Sequence, residues 1–316
     1  GGVGKYNGNK FVSLNDYDGL ISNIIYSIIE IKTNSLLFAT DKGLSVYDGI
    51  SFKNYSEKEG LKNPLIFKLL LDNEKIWIGT QEGVYILKDE KIAPFLDNKI
   101  LNNSSVYTIY KDFNHNLWFG TLQNGVIFYD VKNKVFRNFT IENGLMSNFI
   151  FSIDQQSNGD IVIGTQTGSN IINEKFIVSS IPNFKSQENI AFSSILNKDG
   201  LNFLFGTFSE GIIGYDFKAN NKTKKYDLSN GLTNNPIQCL YKDREQNIWI
   251  GTDGAGVYKY SNESFTYFSK QNGLPENHIN SVAVDETNSI WVALRSNGLC
   301  RISDNTFDYY NMNNQE

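Results

Sequence analysis

The sequence predicts an all-β fold: a seven-bladed β-propeller of four-stranded antiparallel blades, with an extra N-terminal hairpin. Three observations favour it. A motif that ends in Gly-Thr returns every 40 to 45 residues along the 316-residue chain, which is the period of a propeller blade. All four tryptophans stand at one position of that motif. No segment carries apolar residues at helical spacing over two or more turns, so we expect almost no helix.

The recurring motif is an aromatic or aliphatic residue, any residue, and then Gly-Thr. Its seven copies end at Thr40, Thr80, Thr121, Thr165, Thr207, Thr252 and, as a variant, Leu294. Tryptophan at the first position is large enough to fill the gap between two twisted sheets. The glycine allows a neighbouring backbone to approach, and we expect the threonine hydroxyl to bond the turn that follows.

Each period divides into four short strands separated by turns rich in Asn, Asp and Gly. We predict a propeller domain over 15–316, with blades at about 21–56, 64–98, 104–141, 148–182, 189–229, 236–270 and 278–311. Residues 1–14 match the third-and-fourth-strand hairpin of a partial blade. This hairpin either belongs to a blade of a longer array or completes the ring by pairing with strands from the far end. We favour the former, with the hairpin covering a sheet edge.

Composition excludes some function classes. The net charge of −5 is spread along the chain without a basic block, so nucleic acid is not an expected partner. No apolar run approaches the roughly 18 residues of a membrane span, and no signal peptide starts the sequence. The two cysteines, Cys239 and Cys300, fall on different radii of neighbouring predicted blades, so we expect free, buried thiols.

The repeat resembles the two-component regulator propeller repeat, whose pattern includes Trp-Ile-Gly-Thr, then Gly-Val-x-x-Tyr, an outer strand and Gly-Leu. Residues 235–274 match nearly every position, whereas the fourth repeat departs with Val162 and Asn170. The resemblance implies a sensor domain on the periplasmic or extracellular face of a bacterial inner-membrane histidine kinase. It also implies an oligosaccharide or related small ligand, contact with neighbouring receptor domains or a second protomer, and kinase activity only in other domains.

The small number of histidines limits enzymatic interpretations, because the chain has only two histidines, His115 and His278. His115 lies in an Asp-x-Asn-x-Asn turn that resembles the start of a calcium loop. Leu117 and Gln123, however, stand where such a loop needs Gly and Glu, so we interpret the turn as structural. His278 lies in a predicted loop, where it could contact a ligand or act as the base of a metal-dependent lyase. Propellers resembling streptogramin lyases need a second histidine on that face, and none is expected here. We predict no catalytic residue, metal or cofactor.

Repeats separate structural positions from functional ones, because residues common to all blades serve the fold. The position after Gly-Thr varies most, and we expect these residues to surround one mouth of the channel. The predicted ligand-binding residues lie at or near this mouth: Arg295, Phe208, Gln166, Gln123, Asp253 and His278. Arginine offers a rigid fork for carboxylate, sulfate or sugar hydroxyls, and Phe208 offers a face for a sugar ring. The leading hypothesis is a non-catalytic, ligand-sensing domain. The alternatives are an interaction or dimerisation scaffold and, third, the metal-dependent lyase.

Overall fold

The computed structural model describes most of the chain. The described residues are 3–6, 11–14, 19–32, 35–48, 50–95, 98–182, 184, 190–219, 222–227, 231–232, 236–261, 264–272, 274, 276–285, 290–295, 299–303 and 306–309. Side chains are described from residue 19 to residue 295 of these ranges, Lys222 excepted. The side chain of Cys300 and most of the loop at 273–275 therefore lie outside the described residues.

The strands form four-stranded antiparallel sheets, each built from four consecutive segments of the chain. The chain divides into two compact units, and unit 1 comprises residues 1–78, 85–94 and 238–316. It contains four sheets. Sheet 1 consists of β3 (Ile25–Lys32), β4 (Ser35–Thr40), β5 (Leu44–Tyr47) and β6 (Phe52–Tyr55), and sheet 2 of β7 (Ile66–Asp72), β8 (Lys75–Thr80), β9 (Gly83–Lys88) and β10 (Lys91–Pro94). Sheet 6 consists of β23 (Ile237–Lys242), β24 (Ile248–Thr252), β25 (Val257–Ser261) and β26 (Ser264–Phe268), and sheet 7 of β27 (Ile279–Val284), β28 (Ile290–Leu294), β29 (Leu299–Ser303) and β30 (Thr306–Tyr309).

Unit 2 comprises residues 79–84 and 95–237. It contains the loop between β8 and β9 and three further sheets. These are sheet 3, β11 (Val106–Lys111), β12 (Leu117–Thr121), β13 (Val126–Asp130) and β14 (Val135–Phe139); sheet 4, β15 (Ile150–Gln155), β16 (Ile161–Thr165), β17 (Gly168–Ile172) and β18 (Val178–Ser180); and sheet 5, β19 (Phe192–Asn197), β20 (Asn202–Thr207), β21 (Ile212–Asp216) and β22 (Lys222–Tyr226).

The predicted fold class is corrected here. The described residues do not support a single ring of seven equivalent blades. The sheets are divided between two compact units, with sheets 1, 2, 6 and 7 in one and sheets 3, 4 and 5 in the other. The physical reason is that a repeat packs mainly against its immediate neighbours, so contacts concentrate within groups of sheets.

The N-terminal hairpin consists of β1 (Val3–Tyr6) and β2 (Phe11–Leu14), which pair only with each other among the described strands. In unit 1, β1 lies beside β29 and β2 beside β30. Sheet 7 also packs directly against sheet 1: Trp291 and Ala293 share an apolar cluster with Ile25 and Ile28. The first and last sheets of the chain are therefore neighbours, and the hairpin supplies no strand to either of them.

Burial within a sheet follows the order of its strands. The second strand is covered on both faces, and β12, β16, β24 and β28 are buried at every position. The outer strand β14 instead alternates, and the outer strand β26 exposes Tyr267. Continuous apolar runs on second strands and alternation on outer strands are what burial on two faces and on one face require.

The tryptophans lie where the sequence predicts them, between sheets. Trp118 packs with Ile150 and Ile153 of sheet 4, and Trp249 packs with Ile279 and Val282 of sheet 7. Within its own sheet, Trp249 stacks on Phe268 with ring centroids 6.0 Å apart. The interpretation of the motif tryptophan as a filler between adjacent sheets is confirmed at these positions.

Each tryptophan is also tied to an aspartate six residues earlier, or five at Trp77. The indole N–H donates to the carboxylate in all four cases, in the pairs Trp77–Asp72 (3.4 Å), Trp118–Asp112 (2.9 Å), Trp249–Asp243 (2.8 Å) and Trp291–Asp285 (2.8 Å). Asp112 further accepts the backbone N–H groups of Asn114 and Asn116. The calcium-like turn is thus structural, as predicted, because its first carboxylate closes the turn and satisfies the indole.

Helical structure is sparse among the described residues. It consists of one four-residue helix, α1 (Lys99–Asn102), and 3₁₀ turns at Glu57–Glu59, Ile141–Asn143 and Lys270–Asn272. Asn98 caps the N-terminus of α1, and its side chain accepts the N–H groups of Ile100 and Leu101. None of the helices in the described ranges is long and apolar enough to cross a membrane.

Candidate functional site

The motif threonines shape the loops that carry the predicted site. In six sheets the buried threonine hydroxyl donates to a glycine carbonyl three or four residues later, at 2.7 to 3.0 Å. The predicted role of the threonine is confirmed. In sheet 7 the equivalent residue is Leu294, which has no hydroxyl, so the loop that begins at Arg295 lacks this bond.

In four sheets, sheets 3, 4, 5 and 7, the residue after the motif is held beside the start of the inner strand of the same sheet. The backbone N–H of Gln166 donates to Phe149 O (3.0 Å), that of Phe208 to Ala191 O (3.1 Å), and that of Arg295 to His278 O (2.9 Å). The variable position and the residue before the inner strand therefore lie together at one end of each of these sheets. This explains how His278, which is not part of the motif, joins the same group as Arg295.

In unit 1 three predicted residues converge. Arg295 forms a two-pronged ion pair with Asp253, with contacts of 3.1 Å (Nη1–Oδ1) and 3.2 Å (Nη2–Oδ2). His278 pairs with Asp253 as an isolated β-bridge and places Nε2 3.8 Å from Oδ1. Its Nδ1 lies 3.5 Å from the carboxylate of Glu276, a residue the sequence analysis did not select. We call these four residues the Arg295 cluster.

The Arg295 cluster is open to solvent on one side and anchored on the other. The side chains of Arg295 and His278 are 51% and 46% exposed, whereas those of Asp253 and Glu276 are 28% and 10% exposed. The cluster contains one guanidinium and two carboxylates, so it carries no excess positive charge for an anion. A guanidinium–carboxylate pair presents donors and acceptors side by side, an arrangement that suits vicinal hydroxyl groups.

The other predicted residues lie in unit 2. Phe208 is half-buried and makes an edge-to-face contact with Phe151, with ring centroids 5.4 Å apart. Gln166 and Gln123 are exposed. The structure thus brings Arg295, Asp253 and His278 together, and it places Phe208 in a separate aromatic group.

That aromatic group is a row of rings from three consecutive sheets. Phe151 also meets Tyr107 edge to face at 5.5 Å, so Tyr107, Phe151 and Phe208 form what we call the aromatic row. Tyr107 and Phe151 occupy the second position of their inner strands, where the register shifts between Val106 and Thr108 and between Ile150 and Ser152. A β-bulge re-aims the side chain it leaves unpaired. The sequence signal was present, since Tyr26 and Phe67 stand at the same strand position, but a bulge cannot be deduced from residue types.

No group of three or more His, Cys, Asp or Glu side chains that could hold a metal ion occurs within the described ranges. Cys239 is a free thiol. Burial raises its pKa to about 12, so this thiol is a poor nucleophile at neutral pH.

Comparisons with known proteins agree with the repeat. Residues 100–123 and 231–254 match the model of the two-component regulator propeller, and the matched segments include the inner and second strands of sheets 3 and 6. Histidine kinase P4 of Formosa agariphila is 25% identical over 262 residues, which cover 76% of this chain and 19% of that protein. The chain therefore spans about a fifth of the length of this relative.

Two solved structures share the fold. The extracellular domain of a hybrid two-component system from B. thetaiotaomicron is 23% identical, with a TM-score of 0.74 over 90% of this chain and 38% of that chain. A streptogramin B lyase is 13% identical, with a TM-score of 0.70 over 92% of this chain and 95% of that chain. At these identities the likeness concerns the fold and not the activity. The resemblance drawn from the sequence is confirmed by the matched segments, which lie in two of the chain's repeats.

Proposed function

We propose that this chain is a non-catalytic, ligand-sensing propeller region of a two-component sensor, exposed on the periplasmic or extracellular side of a bacterial inner membrane. The Arg295 cluster is the observation that carries the proposal. Its guanidinium and carboxylates stand at positions that vary between repeats, whereas the threonine and tryptophan contacts that build the sheets recur. Variable, solvent-facing groups on a constant scaffold are typical of binding loops.

The ligand we propose is an oligosaccharide that binds through its hydroxyl groups. Asp253 already satisfies the fork of Arg295, so a carboxylate or sulfate would have to displace a partner that shares its charge. A hydroxylated ligand can instead donate to the carboxylate and accept from the guanidinium without breaking the pair. The aromatic row of unit 2 offers a second surface on which a sugar ring can stack.

The first test is a glycan array probed with the purified chain, followed by calorimetry with the best neutral oligosaccharide. Arg295→Ala is expected to weaken binding about 10- to 100-fold, since hydrogen bonds to charged groups contribute about 1.5–3 kcal/mol. Arg295→Lys keeps the charge but loses the fork and should also bind more weakly. Because about half of the Arg295 side chain is exposed, neither change should lower Tm by more than about 2 °C.

Arg244→Ala is the matched control. Arg244 is an exposed arginine in the turn between β23 and β24, at the opposite end of sheet 6 from Asp253. Equal affinities of Arg295→Ala and Arg244→Ala would remove the Arg295 cluster from the binding site. An array without any hit would contradict saccharide sensing, and light scattering that shows a stable dimer without ligand would favour the interaction scaffold.

A further inference from the structure

The second residue of the inner strand divides the described sheets into two kinds. It is aromatic in sheets 1 to 4 and polar in sheets 5 to 7, in the order Tyr26, Phe67, Tyr107, Phe151, Ser193, Gln238 and Asn280. Unit 1 contains both kinds, because it joins sheets 6 and 7 to sheets 1 and 2. Sheets 6 and 7 also carry the Arg295 cluster, so polar and aromatic positions occur together in this unit.

Sheets 7 and 1 bring the two kinds of residue side by side. The Nδ2 group of Asn280 donates to the carbonyl oxygen of Ile25, the residue immediately before Tyr26, at 3.4 Å. The two sheets also share an apolar cluster. Asn280 in turn follows His278 of the Arg295 cluster by two residues, which is about 7 Å along a strand. Tyr26 and the Arg295 cluster therefore lie at the ends of adjacent inner strands.

Tyr26 is exposed although its neighbours in the strand belong to the interior. Ile25 and Ser27 are 1% and 6% exposed, whereas Tyr26 is 36% exposed. The register of β3 against β4 shifts between Ile25 and Ser27, and such a bulge re-aims the residue that it leaves unpaired. The register of β27 shifts in the same way at Asn280. The fold does not require a ring at this position, since sheet 6 carries Gln238 there.

The ring of Tyr26 is supported by Phe67 of the next inner strand. The two ring centroids lie 5.8 Å apart at an interplanar angle of 68°, an edge-to-face contact. Phe67 is half-buried, so it braces the tyrosine and leaves part of that ring open. A braced side chain loses little conformational freedom when a ligand binds. A partly exposed ring beside hydrogen-bonding groups suits a sugar, which has an apolar ring face and polar hydroxyls.

We infer that Tyr26 forms an aromatic subsite beside the Arg295 cluster, on which a second sugar ring stacks while the cluster holds the first. The inference rests on the proposed function and adds the minimum size of its ligand. That ligand has at least two linked sugar residues and lies across the inner-strand ends of sheets 7 and 1. A single sugar bound at the cluster gains nothing from Tyr26.

The experiment is calorimetry of the whole chain with glucose, galactose, mannose and xylose, and with the α- and β-1,4-linked disaccharides of each. For the sugar that binds, one of its disaccharides should bind about 3- to 10-fold more tightly than the monosaccharide. Tyr26→Ala should abolish this advantage and leave the affinity for the monosaccharide unchanged. Tyr26→Phe keeps the ring and should keep the advantage.

Two further variants control for the fold and for the loss of an exposed ring. Tyr26→Gln gives sheet 1 the residue that sheet 6 carries at this position, so the strand should form as before and the advantage of the disaccharide should be lost. Tyr267→Ala removes a tyrosine that is 44% exposed on the outer strand β26. This variant should bind both sugars like the wild type.

The outcomes separate this inference from the proposed function. Disaccharide binding that requires Arg295 but survives both Tyr26→Ala and Tyr26→Gln would overturn the inference alone. Arg295-dependent binding of equal strength for the monosaccharide and the disaccharides would do the same. No binding of any of these sugars, or binding that Arg295→Ala leaves unchanged, would overturn the proposed function and this inference with it.

Discussion

The hydrogen bond between the motif tryptophan and its aspartate, the Trp–Asp tie, should be among the contacts whose loss lowers the stability of the fold most. We consider Asp112→Ala in sheet 3. The aspartate is 6% exposed, and its carboxylate accepts the indole N–H of Trp118 at 2.9 Å and two backbone N–H groups of the turn at 2.8 and 2.9 Å. Alanine removes these three contacts and a longer one from Asn116 Nδ2 (3.4 Å), and it leaves the indole N–H buried, since Trp118 is 3% exposed.

The size of the loss follows from what remains unsatisfied. A buried donor without a partner costs about 1–3 kcal/mol, and a hydrogen bond to a charged group contributes about 1.5–3 kcal/mol. The two backbone donors lie in a partly exposed turn and can bond water instead. We therefore expect Asp112→Ala to lower the free energy of unfolding by about 3–5 kcal/mol. At about 2–4 °C per kcal/mol this is a fall in Tm of roughly 6–20 °C.

Differential scanning calorimetry of a double-mutant cycle tests the reasoning. Trp118→Phe removes the donor, so Asp112→Ala should cost about 1–3 kcal/mol less in that background than in the wild type. Asp130→Ala is the control, because Asp130 also accepts a turn N–H, from Asn133 at 2.9 Å, but its carboxylate is exposed and contacts no indole. A loss at Asp112 no greater than that at Asp130, or additive effects of Asp112→Ala and Trp118→Phe, would refute the proposed energetic role of the tie.

Two further predictions follow from single residues. Gly125 has φ +71°, and an added Cβ would lie 2.0 Å from the backbone oxygen of Phe139. In thermal melting, Gly125→Ala should therefore lower the free energy of unfolding at least twice as much as Gly60→Ala. At Gly60 (φ +108°) the backbone strain, about 1–2 kcal/mol, acts without a clash, because the nearest atom would be 3.4 Å away; equal losses would contradict the packing. Cys239 has a pKa raised by burial from 9.0 to about 12, so its stabilising contribution is complete below pH 9 and is lost as pH rises towards 12. In a Cys300→Ser background, the protein that keeps Cys239 should therefore lose stability between pH 9 and 11 relative to the Cys239→Ser variant. The Cys239 thiol should react with Ellman's reagent at pH 8 only after unfolding. Rapid reaction of the folded protein would disprove the burial of the thiol.

Local chemistry made the strands predictable. The Gly-Thr motif, the tryptophan before it and the Asn- and Asp-rich turns each act over a few residues, so their spacing alone indicated four strands for each repeat. The threonine bonds were predictable for the same reason, since Thr165 and its acceptor, the carbonyl of Gly168, are three residues apart. The helix prediction was nearly right, because a four-residue helix with an Asn98 cap leaves almost no periodic signal.

The candidate site could be predicted only in part. Arg295 and Asp253 were selected separately as variable residues, but their pairing joins positions 42 residues apart. That pairing changes the chemistry from an open arginine fork to a neutralised one. Glu276 and Phe151 were missed, because the first depends on where a loop turns back and the second on a bulge in an inner strand. The organisation of the sheets into two compact units was likewise not visible in the repeat.

By itself the sequence determined the repeating unit, its strand order and the residues that close its turns, because these depend on side-chain alternation and on contacts between near neighbours in the chain. Only the tertiary structure decided which strand ends converge and which rings the bulges expose. These features depend on contacts between sheets, where residues some forty positions or more apart determine one another's charge, solvation and free surface.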